Sequence, residues 1–440
     1  MTMKVWVIEI GDLIQGVDAK TRPFRAGMVA EALANAGHSV VWWSSTFNHQ
    51  LRFQRFKSSV TLHPHANLEV QLLYGPGYRR SVSYARLRHH KIVANRFCSA
   101  LSGISETDRP DIIYCCLPTL ELCEQAMHFS LRNGIPYIVD IRDQWPSIYL
   151  TILPPQLKGL ARLLLTREFS RARRILSNAE AIFAVSDANL MWGLELANRR
   201  PSGWDKCFPL GYLREQESNE SPGACCLSAD HIRRIVEEKA VVISFVGSFS
   251  EAYDLASVCR AARRLNDING VNVMFIMAGS GVQEKKLRSS YSNIPNLVFT
   301  GWLDQQSISW LLNRSSIGIC PYNSRRPITL PNKPFEYMAA GLPILSSLEG
   351  EFRTLLEQKR IGLHYRSGED RDLTEKILWI SSHPGELERM GENSKKVFKT
   401  DYDAKRIYPD LVSNIVNLVE KRFSQFGTEH RFDYKSRVTH

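Results

Sequence analysis

The sequence predicts an α/β chain made of two doubly wound parallel sheets. Three observations carry this reading. Apolar runs of strand length alternate with stretches of helical spacing along nearly the whole chain. A polar segment, 213–230, interrupts the alternation, which then restarts. In the second half, strands end on glycine just ahead of helical patterns, at Gly247 and at Gly279 and Gly281.

The elements follow in order. "KVWVIEI" reads as the first strand, and "PFRAGMVAEALANAG" as a helix with Met28, Ala32, Leu33 and Ala36 on one face, ending at Gly37. "HSVVWWSS", "LEVQLLY" and "DIIYCCL" are strands. "PTLELCEQAMHFSLRNG" is a helix stopped by Gly134, followed by the strands "PYIVDIRD" and "AEAIFAVS", and "KCFPLGY" closes the first half. After the break, "VVISFVGS", "NVMFIMAGSG", "LVFTGW", "SIGICPY" and "LPILSS" are strands of a second sheet. "RIYPDLVSNIVNLVEKRF" is a terminal helix with Leu411, Ile415, Leu418 and Val419 on one face. The expected organisation is an N-terminal domain 1–212, a linker 213–238 and a C-terminal domain 239–400. A helix within 401–424 is expected to pack back towards the N-terminal domain, ahead of a flexible tail 425–440.

Bulk properties narrow the classes. The 440 residues are 44% hydrophobic and 23% charged, as in an ordinary soluble globular protein. No apolar run approaches the roughly 20 residues of a spanning helix. "MTMKVWVIEIGD" carries Glu9 and Asp12 and reads as a core strand rather than a signal peptide. Nine cysteines, odd in number and without C-x-x-C spacing, argue for reduced thiols and a cytoplasmic location. The net charge of +11 favours an anionic partner, a nucleotide or an acidic lipid. Basic runs at 79–91 and 167–174 also fit plain solvated surface.

In open parallel sheets, ligands sit beyond the carboxyl ends of the strands. Glycine there lets backbone approach a ligand, and the following helix offers free N–H groups to phosphate, although the same glycines also serve plain turns. The densest stretch is "PNKPFEYMAAGLPILSS", 331–347. Pro334 suits a first helical turn, Gly341 stops the helix, and Phe335, Met338, Ala339 and Leu342 face the sheet. Glu336 then lies in the first turn. The residues alone allow two roles for it: complementing the helix dipole, or accepting hydrogen bonds from sugar hydroxyls while Lys333 and the helix start hold phosphates.

The same stretch closely resembles the donor-site signature of retaining GT-B glycosyltransferases, the large glycogen-synthase-like "group 1" family. Within it, the chain resembles the bacterial branch that builds surface polysaccharides, with O-antigen and capsule transferases of the fucosamine-transferase type. "TRPFRAGMVAEALANAGHSVVWWSSTFNH" (21–49) is similar to that branch's opening strand, loop and helix. "PYIVDIRDQWP" (136–146) is similar to its "DIRDLWP" segment, and "FVGSF", "AGSG" and "VFTGWL" to its donor-domain strands. The resemblance spans residues 4–420.

It implies a GT-B fold, two Rossmann-like domains facing across a cleft. The C-terminal domain would bind a nucleotide-sugar, with UDP as the family default, and transfer would retain anomeric configuration. The acceptor would be a saccharide or a polyprenyl-diphosphate-linked saccharide. No nucleic acid, resident cofactor or essential metal is expected. The family signature holds two glutamates eight positions apart; the second falls on Glu336, a ribose ligand, and the first on Ile328. Backbone near Thr329 and Leu330, with Asn332, is therefore expected to serve the donor sugar. The stretch "GSFSEAYDL" lacks the cations common there in the family, which leaves Lys333, helped by Arg325 or Arg326, to face the diphosphate. Gly247, Gly279 and Gly281 complete the expected donor site. Asp143 lies near the place of a family histidine and is the candidate for orienting or deprotonating the acceptor; a helix cap or a partner for Arg142 is its structural alternative.

Two further stretches have two readings each. "DYD" at 401–403 matches a metal-binding D-x-D pattern of another fold, but its place before the terminal helix reads as a helix start. Residues 155–176 form a basic amphipathic pattern with Leu157, Leu160, Ala161, Leu164, Ala172 and Leu176 in a stripe. It fits a helix packing inward or one docking peripherally on an anionic inner membrane leaflet. Rival functions are a sugar-nucleotide epimerase on the same fold and an inactive nucleotide-sugar-binding scaffold. A dinucleotide oxidoreductase is disfavoured because "GDLIQG" replaces G-x-G-x-x-G after the first strand.

Overall fold

The computed structural model describes residues 2–14, 16–18, 24–80, 83–151, 153–214, 240–324 and 333–426. The chain forms two compact units, Met1–Leu210 with Lys405–His440, and Gly211–Ala404. The expected linker 213–238 and tail 425–440 fall almost wholly outside the described residues.

The first unit contains strands β1 (Lys4–Ile8), β2 (Ser39–Ser45), β3 (Phe47–Asn48), β4 (Phe53–Gln54), β5 (Val60–His65), β6 (Leu68–Leu73), β7 (Ile112–Leu117), β8 (Tyr137–Ile141), β9 (Ala181–Ala184) and β10 (Lys206–Cys207). Eight of them form one sheet in the order β10-β9-β8-β7-β1-β2-β6-β5. Its pairs are parallel except for β5, which runs antiparallel to β6. The expectation of a wholly parallel sheet is thus corrected at one edge. "VTLHPH" has a proline and two histidines, and an edge strand tolerates both because one side of its ladder faces solvent. Every residue of β7, β8 and β9 is buried, the pattern of strands covered on both faces.

The covering helices are α1 (Arg25–Asn35), α2 (Tyr84–Leu101), α3 (Leu120–Asn133), α4 (Ile148–Thr151), α5 (Pro155–Leu164), α6 (Thr166–Ser177) and α7 (Asp187–Ala197). Gly134 ends α3 in the left-handed conformation, φ 65°, returning its N–H to Ser130 O. The buried face of α1 is Ala26, Val29, Ala30, Leu33 and Ala34, not the stripe expected from Met28 and Ala36. Arg25 is the reason: it is fully buried and ion-paired to Asp140, which fixes the rotation of the helix. The single helix expected over 155–176 is two, broken at Leu165. "KCFPLGY" yields only the two-residue β10, and Tyr212 pairs in the second unit with Asp403.

The second unit has strands β11 (Val241–Val246), β12 (Val273–Ala278), β13 (Leu297–Gly301), β14 (Ile317–Cys320), β15 (Ile344–Ser346) and β16 (Gly362–His364). They form an all-parallel sheet ordered β13-β12-β11-β14-β15-β16. β16 has no counterpart among the expected strands, since three residues are too few to show a period. Helices α8 (Leu255–Asn266), α9 (Glu284–Tyr291), α10 (Gln305–Arg314), α11 (Lys333–Ala339), α12 (Glu351–Gln358), α13 (Asp370–Ser381) and α14 (Pro384–Val397) complete it. A π-helical turn, Phe398–Tyr402, then leads to α15 (Ala404–Phe426). Leu411, Ile415, Leu418 and Val419 of α15 are buried, Lys206 donates to Asn414, and Arg422 pairs with Glu180.

Each sheet has one switch point where the strand order reverses, beside β1 and β7 in the first unit and beside β11 and β14 in the second. The crevice beyond the carboxyl ends of those strands is where such sheets take ligands.

Candidate functional site

The second unit's switch point is built by three strand ends and one helix. Gly247 follows β11 with φ 147°, and Gly279 follows β12 with φ 141°, a region that side chains disfavour. The loops lock together by backbone hydrogen bonds, Gly247 N to Ala278 O at 2.8 Å, Phe249 N to Ser280 O at 2.8 Å and Gly279 N to Gly301 O at 2.7 Å. A Cβ on Gly279 would overlap Gly247 O, and one on Gly281 would lie 2.8–2.9 Å from the backbone of Phe249. Gly279→Ala should therefore lower stability by about 2–3 kcal/mol, read by urea denaturation, because backbone rather than a side chain must move.

Lys333 opens α11 at this point. Its ammonium donates to Val246 O at the end of β11 and lies 4.9 Å from the Phe245 ring centroid and 5.1 Å from that of Tyr253. A Cβ at Gly247 would occupy the place of Lys333 Nζ. Gly247, Gly279 and Lys333 thus come together, with Gly281 against Phe249. Tyr253, within the cation-poor "GSFSEAYDL", supplies an aromatic face to the lysine.

Glu336 lies in the first turn of α11, half-buried, and Tyr212 Oη donates to its Oε1 at 3.3 Å. Phe335, Met338, Ala339 and Leu342 are buried. Gly341, φ 74°, ends the helix, with Leu342 N returning to Tyr337 O at 2.9 Å. Thr329, Leu330 and Asn332, with Ile328, Arg325 and Arg326, lie outside the described residues.

Tyr337 is a site residue that the sequence reading passed over. Its hydroxyl accepts from Val246 N at 3.0 Å and donates to Ile319 O at 3.4 Å, tying α11 to β11 and β14. The ring lies where a Cβ on Gly318 would be, 2.3 Å from Cγ, 2.5 Å from Cδ2 and 2.8 Å from Cδ1, so Gly318 makes room for it. A tyrosine inside the apolar "KPFEYM" run was the available signal, since a buried phenol needs partners.

The first unit presents a separate polar cluster at its own switch point. Glu9 accepts from Gly11 N and Asp12 N, each at 2.7 Å, and Asp12 Oδ2 accepts from Ala26 N at 2.8 Å, capping α1. Arg142, after β8, bridges Asp12 at 2.8 Å and Glu9 at 3.4 Å. Burial and the Asp12 charge push Glu9 up to about 7, against the pull of Arg142. Asp143 therefore is not the partner of Arg142. Its carboxyl makes no hydrogen bond or ion pair among the described residues. Although the residue reaches solvent, protein crowding around the carboxyl raises its pKa, against the pull of Arg142 and Arg86. Nearby, His49 Nδ1 meets Tyr78 Oη at 2.5 Å, and Arg52 and Arg86 lie over the Tyr78 ring. Burial and neighbouring arginines hold His49 neutral, with a pKa of about 3. Only carboxylates directly behind the first strand, Glu9 and Asp12, hinted at this cluster in the sequence.

Asp401, in "DYD", lies within the π-helical turn, 3.9 Å from Lys359. Among the described residues no group of three or more His, Cys, Asp or Glu side chains is placed to hold a metal ion. Nor is any described helix long and apolar enough to cross a membrane. Cys115, Cys116, Cys123, Cys259 and Cys320 are buried thiols.

Two Rossmann-like α/β units, each with its switch point at the carboxyl ends of a parallel sheet, define a GT-B fold. Residues 229–397 match the family described as glycosyl transferases group 1. Most of the second unit thus matches a group 1 glycosyltransferase domain, which supports a glycosyltransferase. Solved structures similar over nearly the full length include sucrose-phosphate synthase from Thermosynechococcus elongatus, with a TM-score of 0.65 and 13% identity over 96% of this chain and 99% of that one. HepE from Anabaena in complex with UDP-glucose has a TM-score of 0.59 and 13% identity over 94% and 99%. A UDP-forming α,α-trehalose-phosphate synthase from Burkholderia xenovorans has a TM-score of 0.65 and 13% identity over 95% and 99%. At this identity the likeness is one of fold. No curated protein matches the chain.

Proposed function

We propose that the chain moves a sugar from a UDP-sugar to a saccharide or lipid-linked saccharide, with retention, in bacterial surface polysaccharide synthesis. The observation that carries this is the meeting of Lys333, Gly247 and Gly279 at the switch point of a group 1 domain. UDP-glucose in HepE and the UDP-forming trehalose-phosphate synthase support a uridine diphosphate donor. Glu336 would hold the ribose, and Lys333, rather than a metal ion, would neutralise the departing diphosphate. The bond from C1 to the diphosphate breaks, the acceptor oxygen bonds C1 on the same face, and its proton leaves to the phosphate or to Asp143. A carboxylate with a raised pKa and no internal partner suits that last task.

The test combines binding and turnover. UDP at 100 times its Kd should stabilise the protein by about 2.7 kcal/mol in thermal unfolding. Glu336→Ala should weaken UDP about tenfold, as expected for one lost charge-assisted hydrogen bond. Product NMR should show the donor's anomeric configuration kept. Epimerised donor formed without any acceptor would overturn the transfer reading in favour of an epimerase.

A further inference from the structure

Helix α5 leaves its apolar face uncovered. None of its residues is buried, and Leu157, Leu160, Leu163 and Leu164 are 48%, 58%, 70% and 75% exposed. Leu157, Leu160 and Leu164 repeat at helical spacing, so they share one face. Inward packing, one of the two readings of this stretch, holds only for α6, where Ala172, Ile175 and Leu176 are buried. A water-facing leucine stripe on a short helix needs a partner.

The charge around the stripe says which partner. From Gln144 to Arg167 the sequence has no Asp or Glu, while Lys158, Arg162 and Arg167 flank the leucines. All three cations are exposed, and none has a carboxylate partner among the described residues. A second acid-free basic stretch adjoins it. Arg86 of α2 lies 5.0 Å from the Trp145 ring centroid, and Trp145 packs on Tyr149 of α4. The first turn of α2 there exposes Tyr84 (81%) and Leu87 (48%) beside Arg88 and Lys91.

From this we infer that α5, with the start of α2, docks the first unit on the surface of an anionic lipid bilayer. Protruding leucines enter the headgroup boundary while the lysine and arginine heads stay at the phosphates. A second copy of the chain is a poorer occupant, because two basic faces repel. The inference extends the lipid-linked acceptor reading, but its test measures membrane binding alone and stands whether or not transfer is observed.

The full-length protein is sedimented with vesicles of equal parts phosphatidylglycerol and phosphatidylcholine, and with phosphatidylcholine alone. Binding to the anionic vesicles, weakened by high salt, is expected. Leu160→Glu/Leu164→Glu should reduce it about tenfold or more with unchanged thermal unfolding, since both positions are exposed. Lys158→Glu/Arg162→Glu should reduce it on the anionic vesicles. Wild-type protein that stays in solution, or binding untouched by both double variants, overturns the inference. So does a dimer in light scattering that Leu160→Glu dissociates.

Discussion

Arg25→Met should cost about 3–5 kcal/mol of stability, because it strands the Asp140 carboxylate in the interior. Both side chains of this pair are 0% exposed. Arg25 meets Asp140 with two parallel hydrogen bonds, Nε to Oδ2 at 2.6 Å and Nη2 to Oδ1 at 2.8 Å. Its third nitrogen donates to Phe208 O at 2.7 Å and Pro209 O at 3.2 Å, so the guanidinium joins α1, β8 and the chain's exit from the unit. Burial works against the charge, yet Asp140 overcomes it and holds the Arg25 pKa well above its ordinary value. A cation at the first residue of α1 also opposes the helix dipole, which makes the carboxylate the decisive partner. Urea denaturation should show a lower midpoint for Arg25→Met and for Asp140→Leu. The double variant should lose clearly less than the sum, since it leaves no unpaired charge. Additive losses would mean the two residues act independently and would sink this account.

Most of the fold was legible because its strands are apolar runs buried on both faces. β7, β8, β11 and β12 read directly from their composition. What escaped were elements whose logic is tertiary. β5 alternates exposed and half-buried residues around Pro64, which only its edge position permits. The rotation of α1 follows from Arg25, a residue that a periodicity count scores as surface. The leucines of α5 satisfy an inward-packing pattern as well as an outward one, and only the structure separates them. At the candidate site, glycines behind strands and a lysine ahead of a helix were legible one by one. That Gly247 lacks a Cβ where Lys333 must pass was not, because the two are far apart in sequence and the contact is a property of the sheet order. Tyr337 was hidden the same way: its partners are Val246 and Ile319, on two strands that flank the switch point.

Lys333→Met should reduce the turnover of sugar transfer about 10²–10³-fold, the loss expected when one preorganised charge at a developing anion is removed. Methionine keeps much of the stem's packing between Phe245 and Tyr253, so stability should change little by comparison. That contrast separates two roles. If Lys333 only anchors α11 by its bond to Val246 O, the variant should unfold earlier while transfer in the folded protein stays within about twofold. If it clamps the departing diphosphate, turnover collapses with the fold intact, because the negative charge grows as the sugar–phosphate bond breaks. The geometry favours the second outcome. The ammonium is already held at the switch point by a carbonyl and two ring faces, so it need not reorganise when charge appears. Lys333→Arg should restore little, since the planar guanidinium is bulkier than the ammonium that Gly247 leaves room for.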